Sequence, residues 1–173
     1  MRDEFFQFMV AYNHDLYYRI AYKRSSKHRG NWYSGFFLLS SAASIASLSY
    51  WDIVPTLWAC ITLAAQVLQI LKPLFPFDKR ANALTYIVQD MQALFDEIED
   101  YWHIVNSEKT PSAEDIQRTI TEFKRRDRAI KDRFAPDIDF PPNKRASRFA
   151  LKENQKYFKY YYNVEVKEEK KHV

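Results

Sequence analysis

Two long stretches without an ionisable acid or base constrain this 173-residue chain more than any other feature. The first covers residues 30–51 and the second residues 53–71, with Asp52 alone between them. As helices they measure about 33 Å and about 28 Å, and the hydrocarbon core of a bilayer is about 30 Å thick. The pattern predicts an all-α membrane protein with a two-helix transmembrane hairpin in residues 30–77, its helices at about 32–51 and 53–72.

The flanks of the two stretches favour a membrane crossing over the alternative, a buried helical hairpin in a soluble protein. Basic residues precede the first stretch and follow the second, and Trp and Tyr stand at their ends, as interfacial residues do. The positive-inside rule then predicts a multi-pass protein with both termini in the cytoplasm. The basic flanking residues are Arg19, Lys23, Arg24, Lys27 and Arg29 before the hairpin and Lys72, Lys79 and Arg80 after it.

Polar side chains recur on one face of each predicted span. An amide or hydroxyl group in lipid needs a polar partner or water. These faces therefore line a pore or form hydrogen-bonded contacts between helices, and both alternatives predict a homo-oligomer, for which we expect a tetramer. The pore-lining candidates are Ser40, Ser44 and Ser47 in the first span and Thr62, Gln66 and Gln69 in the second.

The remaining residues predict amphipathic helices on both sides of the hairpin. Residues 1–29 form one helix with an apolar stripe, and residues 78–173 form a cytoplasmic helical bundle with helices at about 78–105, 111–134 and 143–163. The first of these three has an apolar seam with alternating steps of four and three, which is typical of helix–helix interfaces. The seam residues, predicted to join subunits, are Leu84, Val88, Met91, Phe95, Ile98 and Trp102.

The last two helices combine many basic residues with aromatic ones, which leaves three interpretations open. Cations and rings suit a nucleotide or oligonucleotide ligand, cations suit an anionic lipid surface, and both suit pairing with the acidic helix 78–105. The candidate ligand-binding residues are Arg118, Lys124, Arg125, Arg126, Arg128, Lys131, Arg133, Lys144, Arg145, Arg148 and Tyr157.

The composition argues against catalysis and against a bound cofactor. One cysteine excludes a disulfide framework and a cysteine-based zinc site, and two glycines leave little for a phosphate-binding loop. The four histidines have no metal-binding spacing. We therefore predict no catalytic residue, no metal and no cofactor.

The order of these segments resembles the SLATT domain, a two-transmembrane effector domain associated with SMODS-type nucleotidyltransferases and SLOG nucleotide sensors. The resemblance covers about residues 10–105. It rests on the lead-in YYRIAYKRSSKHRGNWY at 17–33, the turn YWD at 50–52 and the helix start DKRANALTYIVQDM at 78–91.

The resemblance implies an effector of bacterial antiphage defence in the inner membrane. Such a protein would form an ion-conducting pore, gated by a nucleotide from a partner nucleotidyltransferase, and would cause growth arrest or cell death. The alternative is a non-conducting membrane scaffold or regulator that docks a protein partner through its cytoplasmic helices.

Overall fold

The computed structural model describes residues 1–50, 55–71, 77–107, 110–134 and 140–166, and these residues form five α-helices and no strand. The predicted all-helical architecture is therefore confirmed for this part of the chain. The helices are α1 (Arg2–Tyr50), α2 (Pro55–Leu71), α3 (Phe77–Val105), α4 (Ala113–Phe134) and α5 (Lys144–Tyr162).

The chain divides into two compact units. The first unit contains Met1–Arg24 and Asn82–Val173, and the second contains Ser25–Ala81. The first unit therefore combines the beginning of α1 with most of α3 and with α4 and α5, which are far apart in the sequence.

The predicted transmembrane hairpin is wrong. Among the described residues, no helix combines the length and the hydropathy that crossing a bilayer requires. Helix α2 has 17 residues and so measures about 25 Å, less than the hydrocarbon core of about 30 Å. Residues 30–51 lack charge, but they contain six serines, which lower the hydropathy of the run. The predicted localisation, a multi-pass protein of the bacterial inner membrane with both termini in the cytoplasm, is wrong for the same reason.

The pore-lining candidates were predicted to lie in membrane spans, which are not found among the described residues. Gln66 is exposed on α2. The side chains of Ser40, Ser44, Ser47, Thr62 and Gln69 lie outside the described side chains, as does the turn at residues 51–54.

The core of the first unit is rich in aromatic side chains. Helix α1 contributes Phe5, Met9, Tyr12 and Leu16, at steps of four, three and four, so that all four face the same side. The Phe5 ring is parallel to the indole of Trp102 on α3 at 6.3 Å between centroids. The buried Tyr12 hydroxyl donates a hydrogen bond to the Met91 carbonyl oxygen at 3.3 Å. These contacts hold the first half of α1 against α3.

The residues predicted to join subunits lie in the interior of a single chain. Leu84, Val88, Met91, Phe95, Ile98 and Trp102 are all buried. Helix α3 also buries Ile87 and Leu94, so its apolar stripe is wider than a two-helix seam. Helices α1, α4 and α5 of the same chain cover this stripe. Assembly into an oligomer stays a prediction.

We expect Ile98→Ala to lower the free energy of unfolding by about 2–5 kcal/mol, because Ile98 is fully buried and its truncation leaves a cavity in the core. Ile104 lies on the same helix but is about half exposed, and Ile104→Ala is the matched control, with an expected change of about 0.5 kcal/mol or less. Urea unfolding of both variants measures the difference. Equal losses would contradict the assignment of the α3 face.

Candidate functional site

Most basic side chains of α4 contact other helices of the same chain. Arg126 donates two hydrogen bonds to Glu97 on α3, the longer at 2.7 Å, and this pairing lowers the pKa of the Glu97 carboxyl. Arg133 pairs with Asp90 on α3 at 3.3 Å. For these residues the structure shows pairing with the acidic helix, which is one of the three interpretations of the basic segments.

Two lysines of α4 contact α1 instead. The Lys131 ammonium group lies 2.7 Å from an Asp15 oxygen on α1 and 2.6 Å from an Asp127 oxygen on α4. The Lys124 ammonium group lies 5.8 Å from the centroid of the Phe8 ring, within the range of cation–π attraction. Lys131 is therefore paired with carboxylates of the chain, whereas Lys124 is exposed.

The outer face of α4 carries charges of both signs. Arg118, Arg125 and Arg128 are exposed there, and Arg125 pairs with Glu122 at 2.8 Å. A wide depression beside Arg118 and Arg125 is also lined by Glu114 and Glu122. Because α4 contains seven basic and five acidic residues, its net charge is only +2.

Helix α5 differs from α4 because its basic residues gather on one exposed face. The helix contains six basic residues and one acidic residue, Glu153. Five of the basic residues follow one another at steps of three, four, four and three, which places them within about 80° around the helix axis. All five are exposed. We call them the α5 stripe: Arg145, Arg148, Lys152, Lys156 and Lys159.

Two of the five cations of the stripe are paired with carboxylates. Lys156 pairs with Glu153 at 2.8 Å, and Lys159 lies 3.5 Å from Glu165. Within the described part of the chain, Arg145, Arg148 and Lys152 form no ion pair. The stripe is about 21 Å long, because 14 residues separate its ends at about 1.5 Å each. It is therefore a long, convex, positively charged surface.

The inner face of α5 explains why the stripe points outward. Ala146, Ala150, Asn154 and Phe158 recur every four residues and are buried. The Asn154 side-chain amide donates a hydrogen bond to the Val10 carbonyl oxygen on α1 at 3.3 Å. Since this face packs against the core, the face about 180° away must be in solvent.

Both ends of α5 are also held. The Asn143 side chain accepts hydrogen bonds from the backbone of Arg145 and Ala146 and so caps the first turn. Asn163 ends the helix in the left-handed conformation, with φ of 53°, and the Val164 N–H then bonds to the Phe158 carbonyl oxygen. The orientation of the stripe is thus defined along its whole length.

A carboxylate on α3 anchors the last turns of α5. Glu99 accepts hydrogen bonds from the hydroxyls of Tyr157, at 2.7 Å, and Tyr162, at 2.6 Å. Burial and this contact with Glu99 raise the pKa of both phenols above the ordinary value of 10.0. Tyr157 was predicted to bind a ligand, but its ring packs against Phe95 and Phe158. It belongs to the anchor.

The predicted ligand-binding residues therefore separate into different groups. Lys124, Arg126, Lys131, Arg133 and Tyr157 contact other helices of the chain. Arg118 and Arg125 lie beside Glu114 and Glu122, and Arg128 is exposed on α4. Arg145 and Arg148 come together in the α5 stripe, and Lys144 is exposed at the start of α5. The predicted set omitted Lys152, Lys156 and Lys159, although their helical spacing was a signal that places them beside Arg148.

Among the described residues, no group of His, Cys, Asp and Glu side chains is arranged to hold a metal ion. Comparison of the chain with protein-family models, curated proteins and solved structures finds no match. The resemblance to the SLATT family therefore stays a prediction from sequence.

We expect the stability of the fold to decrease as the pH rises above about 10. Above this pH the phenols of Tyr157 and Tyr162 ionise in the unfolded chain but stay protonated in the folded one, so alkali favours unfolding. Each phenol contributes at most about 1.4 kcal/mol per pH unit, and less here because solvent screens these partly exposed groups.

Urea unfolding on both sides of this pH measures the effect. Tyr157→Phe and Tyr162→Phe should each make the pH dependence shallower, whereas Tyr160→Phe, which removes an exposed phenol, should not. A pH dependence that is the same in all three variants would contradict the assigned role of Glu99 and its two partners.

Proposed function

We propose that this protein is a binding protein, not an enzyme, and that it holds a phosphate polymer along the α5 stripe. The observation that carries the proposal is the exposure of five basic side chains in one line, three of them without an ion-pair partner in the described part of the chain. The pore and its gating by a nucleotide are not proposed, because they depend on membrane spans, and no helix among the described residues is long and apolar enough to be one.

The shape of the surface favours binding over catalysis. Enzyme sites are concave and exclude water, whereas the stripe lies on the convex side of a helix. Successive residues of the stripe are about one helical turn apart, which is about 5 Å along the axis. A polymer with closely repeated charges can contact several of them at once, whereas a single phosphate contacts one or two. Two arginines at one end add forked donors that match phosphate oxygens.

The alternative scaffold function uses the same face for an acidic protein surface. Release of condensed counterions distinguishes the two, because a phosphate polymer carries them and gives a steep dependence of affinity on salt. Five phosphate contacts predict a slope of log K against log salt concentration of about −3.5 for a single strand. A partner protein with scattered carboxylates has no comparable layer of condensed ions.

The test uses fluorescence anisotropy with labelled inorganic polyphosphate and labelled oligothymidine over a range of salt concentrations. We expect binding of both, and a triple change of Arg148, Lys152 and Lys156 to Gln should make the slope shallower by about 2. Glutamine is a good helix former, so the triple variant should keep its helical circular dichroism.

The matched control is the triple change of Arg118, Arg125 and Arg128 to Gln on α4. It removes the same number of charges and, like the α5 variant, breaks one pair within its own helix. We expect it to bind both polymers almost as well as the unsubstituted chain. Absence of binding, or equal losses in the two triple variants, would overturn the proposal.

A further inference from the structure

Two aromatic rings stand exposed beside the α5 stripe. Tyr160 is 81% exposed and Phe149 is 39% exposed. Around the axis of the helix, Phe149 lies about 20° and Tyr160 about 40° from Lys156, on the same side of it. Rings and cations therefore form one surface, with Lys152 and Lys156 between the two rings along the helix.

The Tyr160 ring contacts a neighbouring aromatic ring on one side. Tyr161 stands nearly perpendicular to it, at 4.8 Å between centroids, and Tyr161 in turn contacts Tyr157 at 4.7 Å. The Tyr157 hydroxyl donates a hydrogen bond to Glu99. The Tyr160 ring therefore contacts one neighbouring ring while most of its surface stays accessible.

We infer that the phosphate polymer is a single-stranded nucleic acid, whose backbone follows the stripe and whose bases stack on Tyr160 and Phe149. This inference rests on the proposed function and adds the class of ligand. Exposed aromatic rings beside a basic groove or stripe bind unpaired bases, because every base offers a flat face to stack on. In a duplex those faces are covered by neighbouring bases.

The distance between the rings indicates a strand and not a mononucleotide. Phe149 and Tyr160 are 11 residues apart, which is about 16 Å along the helix. A strand whose bases are stacked advances about 3.4 Å per nucleotide, so the separation of the two residues corresponds to about five stacked nucleotides and not to one. A strand of several nucleotides contacts both rings and the cations between them.

The experiment compares oligothymidine, its abasic counterpart, a blunt duplex and inorganic polyphosphate as ligands of the full chain. We expect oligothymidine to bind most tightly. Tyr160→Ala and Phe149→Ala should each weaken oligothymidine binding by roughly five- to hundredfold without changing polyphosphate binding. Tyr160→Phe, which keeps the ring, is the control and should bind as the unsubstituted chain does.

Fluorescence of a tryptophan placed at position 160 reports stacking directly. In Tyr160→Trp, oligothymidine should quench the fluorescence of the new indole, and polyphosphate should not, when each is compared with the unsubstituted chain. Equal affinities for oligothymidine and its abasic counterpart, tighter binding of the duplex, or no quenching would overturn this inference. If polyphosphate binding is retained in that case, the proposed function stands; if no ligand binds, both fail.

Discussion

Helix α3 carries apolar side chains over more of its circumference than one neighbouring helix can cover. Met91 and Ile98 are buried, but so are Ile87 and Leu94 on the adjoining side. Burial of such side chains is the main favourable term in folding, so α1, α4 and α5 must all pack against α3. This requirement brings together segments that are distant in sequence and determines which face of each is left in solvent.

The pairing of the charged side chains follows from this packing. Helix α3 carries acidic residues beside its apolar stripe, and α4 packs where Arg126 reaches Glu97 and Arg133 reaches Asp90. Helix α5 meets the same acidic helix through two phenols on Glu99, which are neutral donors. Its cations are therefore not needed for docking. The different partners of α4 and α5, together with the fewer acidic residues of α5, explain why two helices rich in basic residues present such different surfaces.

Local sequence patterns predicted where the helices lie better than they predicted what surrounds each helix. Helix α3 was expected at 78–105 and is observed at Phe77–Val105, because steps of three and four record a buried face directly. Absence of charge was a poorer guide: the serines of residues 30–51 are uncharged yet polar, and hydropathy decides membrane crossing. Pairs such as Arg126 with Glu97 join residues far apart in sequence. Which basic residues are paired and which are not could therefore not be predicted without the fold.

Phe158 and Tyr160 show how α5 separates its two roles. They are two residues apart, which turns them about 200° from each other around the axis. Phe158 is fully buried against Phe6, and Tyr160 is almost fully in solvent. Burying a ring of this size contributes about 1.5–3 kcal/mol, and Tyr160 makes little such contribution. Under the proposed function a ligand covers the Tyr160 ring, and the anchored inner face of α5 allows that ligand to bind without disturbing the core.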